Sequence, residues 1–180
     1  MDSNPLVLII RTAAELYIFI LLLRLVLQAV KADYYNPISQ GVVKITQPVI
    51  TPVQKLLPKI FNLDISPLAL AIIFKAIMLY AVYAFANHLL PILNLGIYAL
   101  LGVLNTFLDI LFYAVLGSVI ISWIAPDSPH PAPQIIMQVT APIYRLIQKV
   151  IPPIGGFDLS PIVIFIAIQL IQSQLRPYII

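Results

Sequence analysis

Four apolar stretches, separated by polar, proline-bearing segments, organise the chain. The first, Pro5 to Val30, has 26 residues. At about 1.5 Å per residue a helix of that length crosses a hydrocarbon core of about 30 Å with tilt. The second, Pro67 to Ala86, has 20 residues and one charge, Lys75. The run from Leu89 to Ile124 is too long for one perpendicular span. The pattern therefore predicts a connection at Pro91, Asn94 and Gly96 and a third span over about 99–124. The fourth stretch, about 161–176, begins at Pro161 and is diluted by Gln169, Gln172 and Gln174. These runs are continuous rather than alternating, which selects helices over the short strands of a membrane barrel. Arg11, Glu15 and Arg24 interrupt the first stretch and no small-residue cleavage site follows it, so it reads as a retained span rather than a signal peptide.

The connections have helical periodicity of their own. Val42, Ile45, Val49, Val53, Leu56 and Ile60 fall on one face, and Lys44, Gln47, Thr51, Gln54, Lys55 and Lys59 on the other. Ile135, Val139, Ile143, Leu146 and Val150 repeat the stripe opposite Gln138, Arg145 and Lys149. Such a stripe suits a helix in the headgroup layer, with a re-entrant element as the alternative. Pro48 and Pro142 each remove a helical hydrogen bond, which predicts a kink or break. Ser66-Pro67 and Ser160-Pro161 read as helix starts, with serine capping free amides and Asp64 and Asp158 near the positive end of the helix dipole.

Both connections belong to an internal repeat. Sliding the chain by 94 residues places Thr46 and Pro48 over Thr140 and Pro142, Lys55 over Lys149, and Pro58 over Pro152. Asp64, Ser66 and Pro67 fall on Asp158, Ser160 and Pro161, Asp33 on Asp127, Pro37 on Pro131, and Glu15 on Asp109. The expected fold is an all-α membrane protein with four transmembrane helices in two parallel repeats, 5–86 and 95–180. Each repeat holds two spans joined by an amphipathic, proline-kinked connection, 31–64 in the first and 125–158 in the second.

Composition excludes the soluble alternatives. Apolar residues make up 61% of the chain and charged ones 9%, too few polar side chains to cover a water-soluble globule or to keep a chain disordered. The absence of cysteine removes disulfides, thiolate nucleophiles and cysteine metal sites. The net charge of +3 comes from thinly spread Lys and Arg, which suits one face of a bilayer better than nucleic acid. Lys31, Lys44, Lys55, Lys59, Arg145 and Lys149 all lie in the two long connections, which the positive-inside rule puts in the cytoplasm of a bacterial inner-membrane protein.

Four charges fall inside the expected spans: Glu15, Arg24, Lys75 and Asp109. At mid-bilayer each costs about 2.5–3.5 kcal/mol unless it pairs or snorkels. A buried pair of Lys75 with Glu15 or Asp109 is the expectation, whether as a clasp between helices or as part of a proton or ion path. Arg24 is nearly opposite Glu15 on its helix and needs a different partner. Catalysis has little support: His88 and His130 are isolated, and no nucleophile motif or phosphate loop occurs. No cofactor or metal site is expected.

Taken together, these motifs resemble the YggT family of multi-pass membrane proteins, also called YlmG-like. The carrying residues are Glu15-Leu16-Tyr17, Arg24, Gln28, Asp33-Tyr34-Tyr35-Asn36-Pro37, Thr46-Gln47-Pro48, Lys55 and Pro58. Thr140-Ala141-Pro142, Lys149, Pro152, Gly155-Gly156, Asp158 and Ser160-Pro161 return in the second half. The resemblance implies a two-repeat inner-membrane protein with a role in osmotic or envelope stress tolerance, and relatives tied to septum organisation or, in chloroplasts, to cytochrome b6 haem attachment and nucleoid distribution. Departures from the family pattern are Gln54 and Gln148 in place of basic residues, Phe61-Asn62 in place of a glycine turn, and His130 as the counterpart of Asn36.

Two functions follow. One is a non-catalytic membrane factor acting through the bilayer, anionic headgroups contacted by Lys55, Lys59, Arg145 and Lys149, and a membrane-protein partner or second copy. The other is a small channel or transporter with a polar path through Glu15, Lys75 and Asp109.

Overall fold

The computed structural model describes residues 5–87, 90–153 and 158–179. In chain order it contains α1 (Pro5–Ala29), α2 (Pro37–Gln54), a hairpin of β1 (Lys59–Ile60) and β2 (Leu63–Asp64), and α3 (Ser66–Phe85). Then follow α4 (Ile92–Ile124), α5 (Pro131–Gln148), α6 (Ser160–Leu175) and a 3-10 turn over Arg176–Tyr178. The chain is thus mostly helical, and α1, α3 and α4 are long and apolar enough to cross a membrane. With 16 residues, α6 rises about 24 Å, short of a core of about 30 Å.

The long helix α4 corrects one expectation. It begins at Ile92, so Asn94 and Gly96 lie within it and only Pro91 stays outside, just before the first turn. A single glycine costs a helix only about 1 kcal/mol, too little to interrupt a long apolar run. Its 33 residues rise about 50 Å, more than a bilayer core. Both ends project accordingly: Ile92, Leu93, Trp123 and Ile124 are exposed. Trp123 is the kind of amphipathic ring that settles at a headgroup boundary.

Helices α1 and α3 pack antiparallel, as the pairing of Glu15 with Lys75 and of Tyr17 with Phe74 requires. Ile18, Leu21 and Leu22 are fully enclosed there, in one core with Leu70, Ala71, Val103 and Ile110. A second core joins α4 to α6 through Leu108, Val115, Ile164 and Ile168, with Phe112 against Phe165 at 5.0 Å between ring centres.

The connection helices are packed elements rather than loose tethers. In α2 the buried residues are Ser39, Val42, Thr46 and Ile50, with Val49 and Val53 partly covered. The expected apolar face is therefore rotated, because Ile45, Leu56 and Ile60 are exposed. Leu146 and Val150 are exposed in the same way, while Ile135, Val139 and Thr140 are buried. Apolar periodicity counts a lipid-facing residue and a protein-facing one alike, so it marks both faces of such a helix. Helix α2 runs unbroken through Pro48 and Pro52, and α5 through Pro142, so of the kink or break expected there the break does not occur. Thr46 and Thr140 turn back to the carbonyls of Val42 at 2.6 Å and Ile136 at 2.9 Å. The two connections also touch: Asn36 Nδ2 donates to the Pro131 carbonyl, and the Asp33 N–H to Gln138 Oε1, both at 2.9 Å.

The hairpin was not anticipated. Its turn residues Phe61 and Asn62 have φ of 50° and 64°, the two positive values that a type I′ hairpin turn requires. Asparagine tolerates that region, whereas a bulky residue there is strained. The repeat-equivalent positions are Gly155 and Gly156, which lie outside the described residues. Phe61 is almost wholly exposed, so no packing inside the chain compensates. Phe61→Gly is expected to raise the thermal unfolding midpoint in neutral detergent, relieving about 1 kcal/mol of strain; an unchanged or lower midpoint contradicts this.

Candidate functional site

The intramembrane charges separate into distinct groups. Lys75, 5% exposed at its side chain, forms an ion pair with Glu15 Oε1. The lysine fits because Gly102 on α4 lies opposite: a Cβ there would collide with Lys75 Cε, with Nζ at 3.3 Å. The pair thus sits where α1, α3 and α4 meet. Asp109 is engaged otherwise, accepting from Gln172 Nε2 on α6 at 2.7 Å and from Asn105 Nδ2 at 3.1 Å. Both charge sites open on one cavity of about 540 Å³, lined among others by Arg11, Glu15, Lys75, Asn105, Thr106 and Asp109. Asp109 also lines a neighbouring cavity of about 600 Å³ with Gln169, Gln172 and Arg176.

Arg24 belongs to neither. Its Nη1 donates to Thr46 Oγ1 and its Nη2 to Gln47 Oε1, both at 2.8 Å, fixing α1 to α2. Ninety-four residues on, Ser118 is joined to Tyr144 at 2.6 Å, fixing α4 to α5. Burial pushes the Tyr144 phenol up, with the Ser118 bond opposing it.

Each connection ends in a clamp. Gln54 Nε2 donates to Asp64 Oδ2 at 2.6 Å, and Asp64 Oδ1 accepts the Ser66 N–H at 2.9 Å. Gln148, Asp158 and Ser160 repeat this at 3.0 and 2.9 Å. The aspartates, not the serines, cap these helices. Ser66 and Ser160 are the first helical residues, and their hydroxyls are buried without a partner among the described residues. Pro67 and Pro161 occupy the next position, where a missing N–H costs nothing. Burial pushes the Asp64 carboxyl up, but the bonds from Gln54 and Ser66 and the Arg24 charge outweigh it, and the group lies below its ordinary value. Asp158 is lowered similarly by Ser160 and Gln148 against its burial.

The remaining repeat positions are structural. Asn36 caps α2 by accepting from the Ile38 N–H at 2.9 Å, while its counterpart His130 precedes α5 without a side-chain cap. Pro37 and Pro131 begin α2 and α5, and Lys55 and Lys149 terminate them. Pro58 and Pro152 follow in the loops, Pro48 and Pro142 ride the helix surfaces, and Asp33 and Asp127 are exposed. His88 lies outside the described residues. Among the described residues no group of three or more His, Cys, Asp or Glu could hold a metal ion.

Sequence reasoning missed Gln54, Gln148, Asn105, Gln172 and Tyr144. The first two carried a signal, an identity at the 94-residue offset. Gln172 looked only like dilution of an apolar run.

Two expectations follow. Glu15→Gln or Lys75→Met alone should cost about 3–5 kcal/mol by leaving one buried charge unpaired. The double variant, and the swapped Glu15→Lys with Lys75→Glu, should recover most of it in thermal unfolding, whereas Asp109→Lys should not rescue Lys75→Glu. Additive single and double losses would count against the pairing. For Asp64, a lowered carboxyl stabilises fully above its unfolded value of about 3.9 and loses that contribution as pH falls through the lower native value. Asp64→Asn should thus lower the midpoint at pH 7, with the gap to wild type closing in acid; a pH-independent gap refutes it.

A family model described as CCB3/YggT matches the chain twice, over residues 3–85 and 97–179. An uncharacterised protein of Pseudomonas aeruginosa is 38% identical over 172 residues, covering 91% of this chain and 84% of the relative. One from Vibrio alginolyticus is 35% identical, covering 92% and 90%. The uncharacterised protein YggT of Escherichia coli K12 is 36% identical, covering 94% and 88%. No solved structure matches the chain. With two family matches spanning nearly its whole length and these relatives in agreement, the chain belongs to the CCB3/YggT family.

Proposed function

We propose that this chain is a non-catalytic multi-pass protein of the bacterial cytoplasmic membrane, contributing to osmotic or extracytoplasmic stress tolerance or to envelope organisation. In this reading α1, α3, α4 and α6 are four spans in two parallel repeats, with α6 lengthened by its 3-10 turn. The basic connections face the cytoplasm, and a membrane-protein partner or a second copy is the means of action. The observation that carries it is how membrane-embedded polarity is used. Glu15 with Lys75, Arg24 with Thr46 and Gln47, and Asp109 with Asn105 and Gln172 each join one helix to another or brace the acid that does. Groups committed in this way fix a scaffold. Lys55, Lys59, Arg145 and Lys149 are exposed, which supports contact with anionic headgroups.

One observation favours the second reading, a small channel or transporter. The cavity lined by Glu15, Lys75 and Asp109 gathers these three ionisable side chains within a mainly apolar wall, and Asp109 also lines the neighbouring cavity that bears Arg176. Proteoliposomes and a deletion strain separate the two. The scaffold reading expects no ion or solute flux from purified protein and a growth defect under osmotic shock on deletion, restored by the wild-type chain. Flux that disappears on neutralising Lys75 or Asp109 would replace it with transport.

A further inference from the structure

The first repeat carries a cavity that the fold alone does not explain. About 350 Å³ in volume, it lies between the C-terminal end of α1, the start of α2 and the hairpin. Among the described residues Arg24, Lys31 and Lys59 line it against one carboxylate, Asp64, together with Gln28 and Ser39. Ser39 is only 5% exposed, and its hydroxyl has no hydrogen-bond partner among the described residues. A buried hydroxyl without a partner costs about 1–3 kcal/mol; Ser66 and Ser160 carry one too, but Ser39 lines a cavity where a group from outside the chain can reach it.

The second repeat supplies a control. Ser118, Ser122, Gln148 and Asp158 line a cavity there, and they stand 94 residues after Arg24, Gln28, Gln54 and Asp64. The same scaffold therefore encloses a space twice. In the second copy the counterparts of Arg24, Lys31, Ser39 and Lys59 are Ser118, Ala125, Pro133 and Pro153. All three cations and the buried hydroxyl are absent, yet the clamp of Gln148, Asp158 and Ser160 still forms. The basic lining is thus not a requirement of the fold.

Lys31 sharpens the point. It ends α1 in a left-handed turn with φ of 53°, its N–H bonded to the Gln28 carbonyl at 3.1 Å and that of Ala32 to Leu27 at 2.8 Å. That position in such a cap is one glycine normally fills. A lysine there accepts backbone strain and sets a cation at the cavity wall.

We infer that this cavity binds a phosphate group, carried by an anionic lipid or free in solution. Arg24 offers a planar fork only partly used by Thr46 and Gln47, the lysines add mobile charge, and Ser39 Oγ donates to a phosphate oxygen. Arg24 lies nine residues from Glu15 on α1, about 13 Å along the helix, so the site is separate from the seam. It holds whether the chain is a scaffold or a transporter.

The test uses the full chain, purified in neutral detergent and in phosphatidylcholine nanodiscs with or without phosphatidylglycerol. Inorganic phosphate at constant ionic strength, against chloride, should give a saturable upward shift in unfolding midpoint if free anion is the ligand. A shift with phosphatidylglycerol but not with inorganic phosphate assigns the lipid. Either shift should be lost in Lys31→Gln/Lys59→Gln, exposed positions whose change leaves the core intact, and weakened in Ser39→Ala. Lys55→Gln, outside the cavity, should retain it. No shift from either source, or equal shifts in wild type and the Lys31/Lys59 variant, overturns the proposal.

Discussion

The meeting of Lys75, Glu15 and Gly102 is the constraint around which the other helices are arranged. A lysine 5% exposed at its side chain cannot be left alone in an apolar medium, where the alternative to a partner is a penalty of several kcal/mol. Glu15 supplies the charge from α1, and Gly102 supplies the room from α4. Helix α3 is thereby pinned between two neighbours at one level. Rotating any of the three about its axis would separate the charges or drive a side chain into the lysine stem. Apolar packing alone is tolerant of such rotation, because lipid tails attract the helix faces nearly as well as other helices do. The register of the bundle therefore rests on a polar contact, and Tyr17 against Phe74 lies beside it, two residues along α1 and one along α3.

The second half solves the same problem with other groups. Glu15 becomes Asp109, and Lys75 becomes Gln169, but the acid reaches Gln172 instead, one turn further along α6. Aspartate is one methylene shorter than glutamate and glutamine carries no charge, so the joint is weaker electrostatically but less costly to desolvate. The joint between the first helix and the connection changes similarly, from Arg24 with Thr46 and Gln47 to Ser118 with Tyr144. What stays constant is the clamp at the end of each connection, Gln54 with Asp64 and Gln148 with Asp158. Backbone geometry explains that constancy: a carboxylate two residues before the helix satisfies the first amide wherever the chain enters such a helix.

How legible this was depended on the period of each signal. The long spans and the 94-residue offset were visible because apolar runs and proline spacings extend over many residues. The start of α4 was misread because Asn94 and Gly96 look like loop chemistry, while a helix that long absorbs both at small cost. The helix starts were located, but the capping group was assigned to Ser66 and Ser160 when Asp64 and Asp158 perform it. Sequence spacing cannot tell a cap from the first helical residue when both are polar. The hairpin hid behind Phe61, whose side chain argues against the left-handed conformation it adopts. Glutamines within apolar runs read as diluents, and only their neighbours in space identify them as partners of aspartate.

The same ion pair bears on the choice between a scaffold and a path. A carrier or proton relay needs a charge that changes partner or protonation state at modest cost during each cycle. Separating Lys75 from Glu15 in place would cost about 3–5 kcal/mol, and Gly102 leaves the ammonium no alternative space toward α4. A population of open pairs on that scale is about one in a hundred to one in a few thousand at room temperature. Rapid passage through the seam would then need a ligand that binds the open state better by a comparable amount. Asp109 is differently situated, held by two neutral amides rather than a cation. Neutral donors hold a carboxylate less firmly than a buried ammonium does, so Asp109 exchanges Gln172 or Asn105 for a group entering the cavity at lower cost. If the seam moves anything, Asp109 is the residue that changes partner and Lys75 the one that holds the helices while it does.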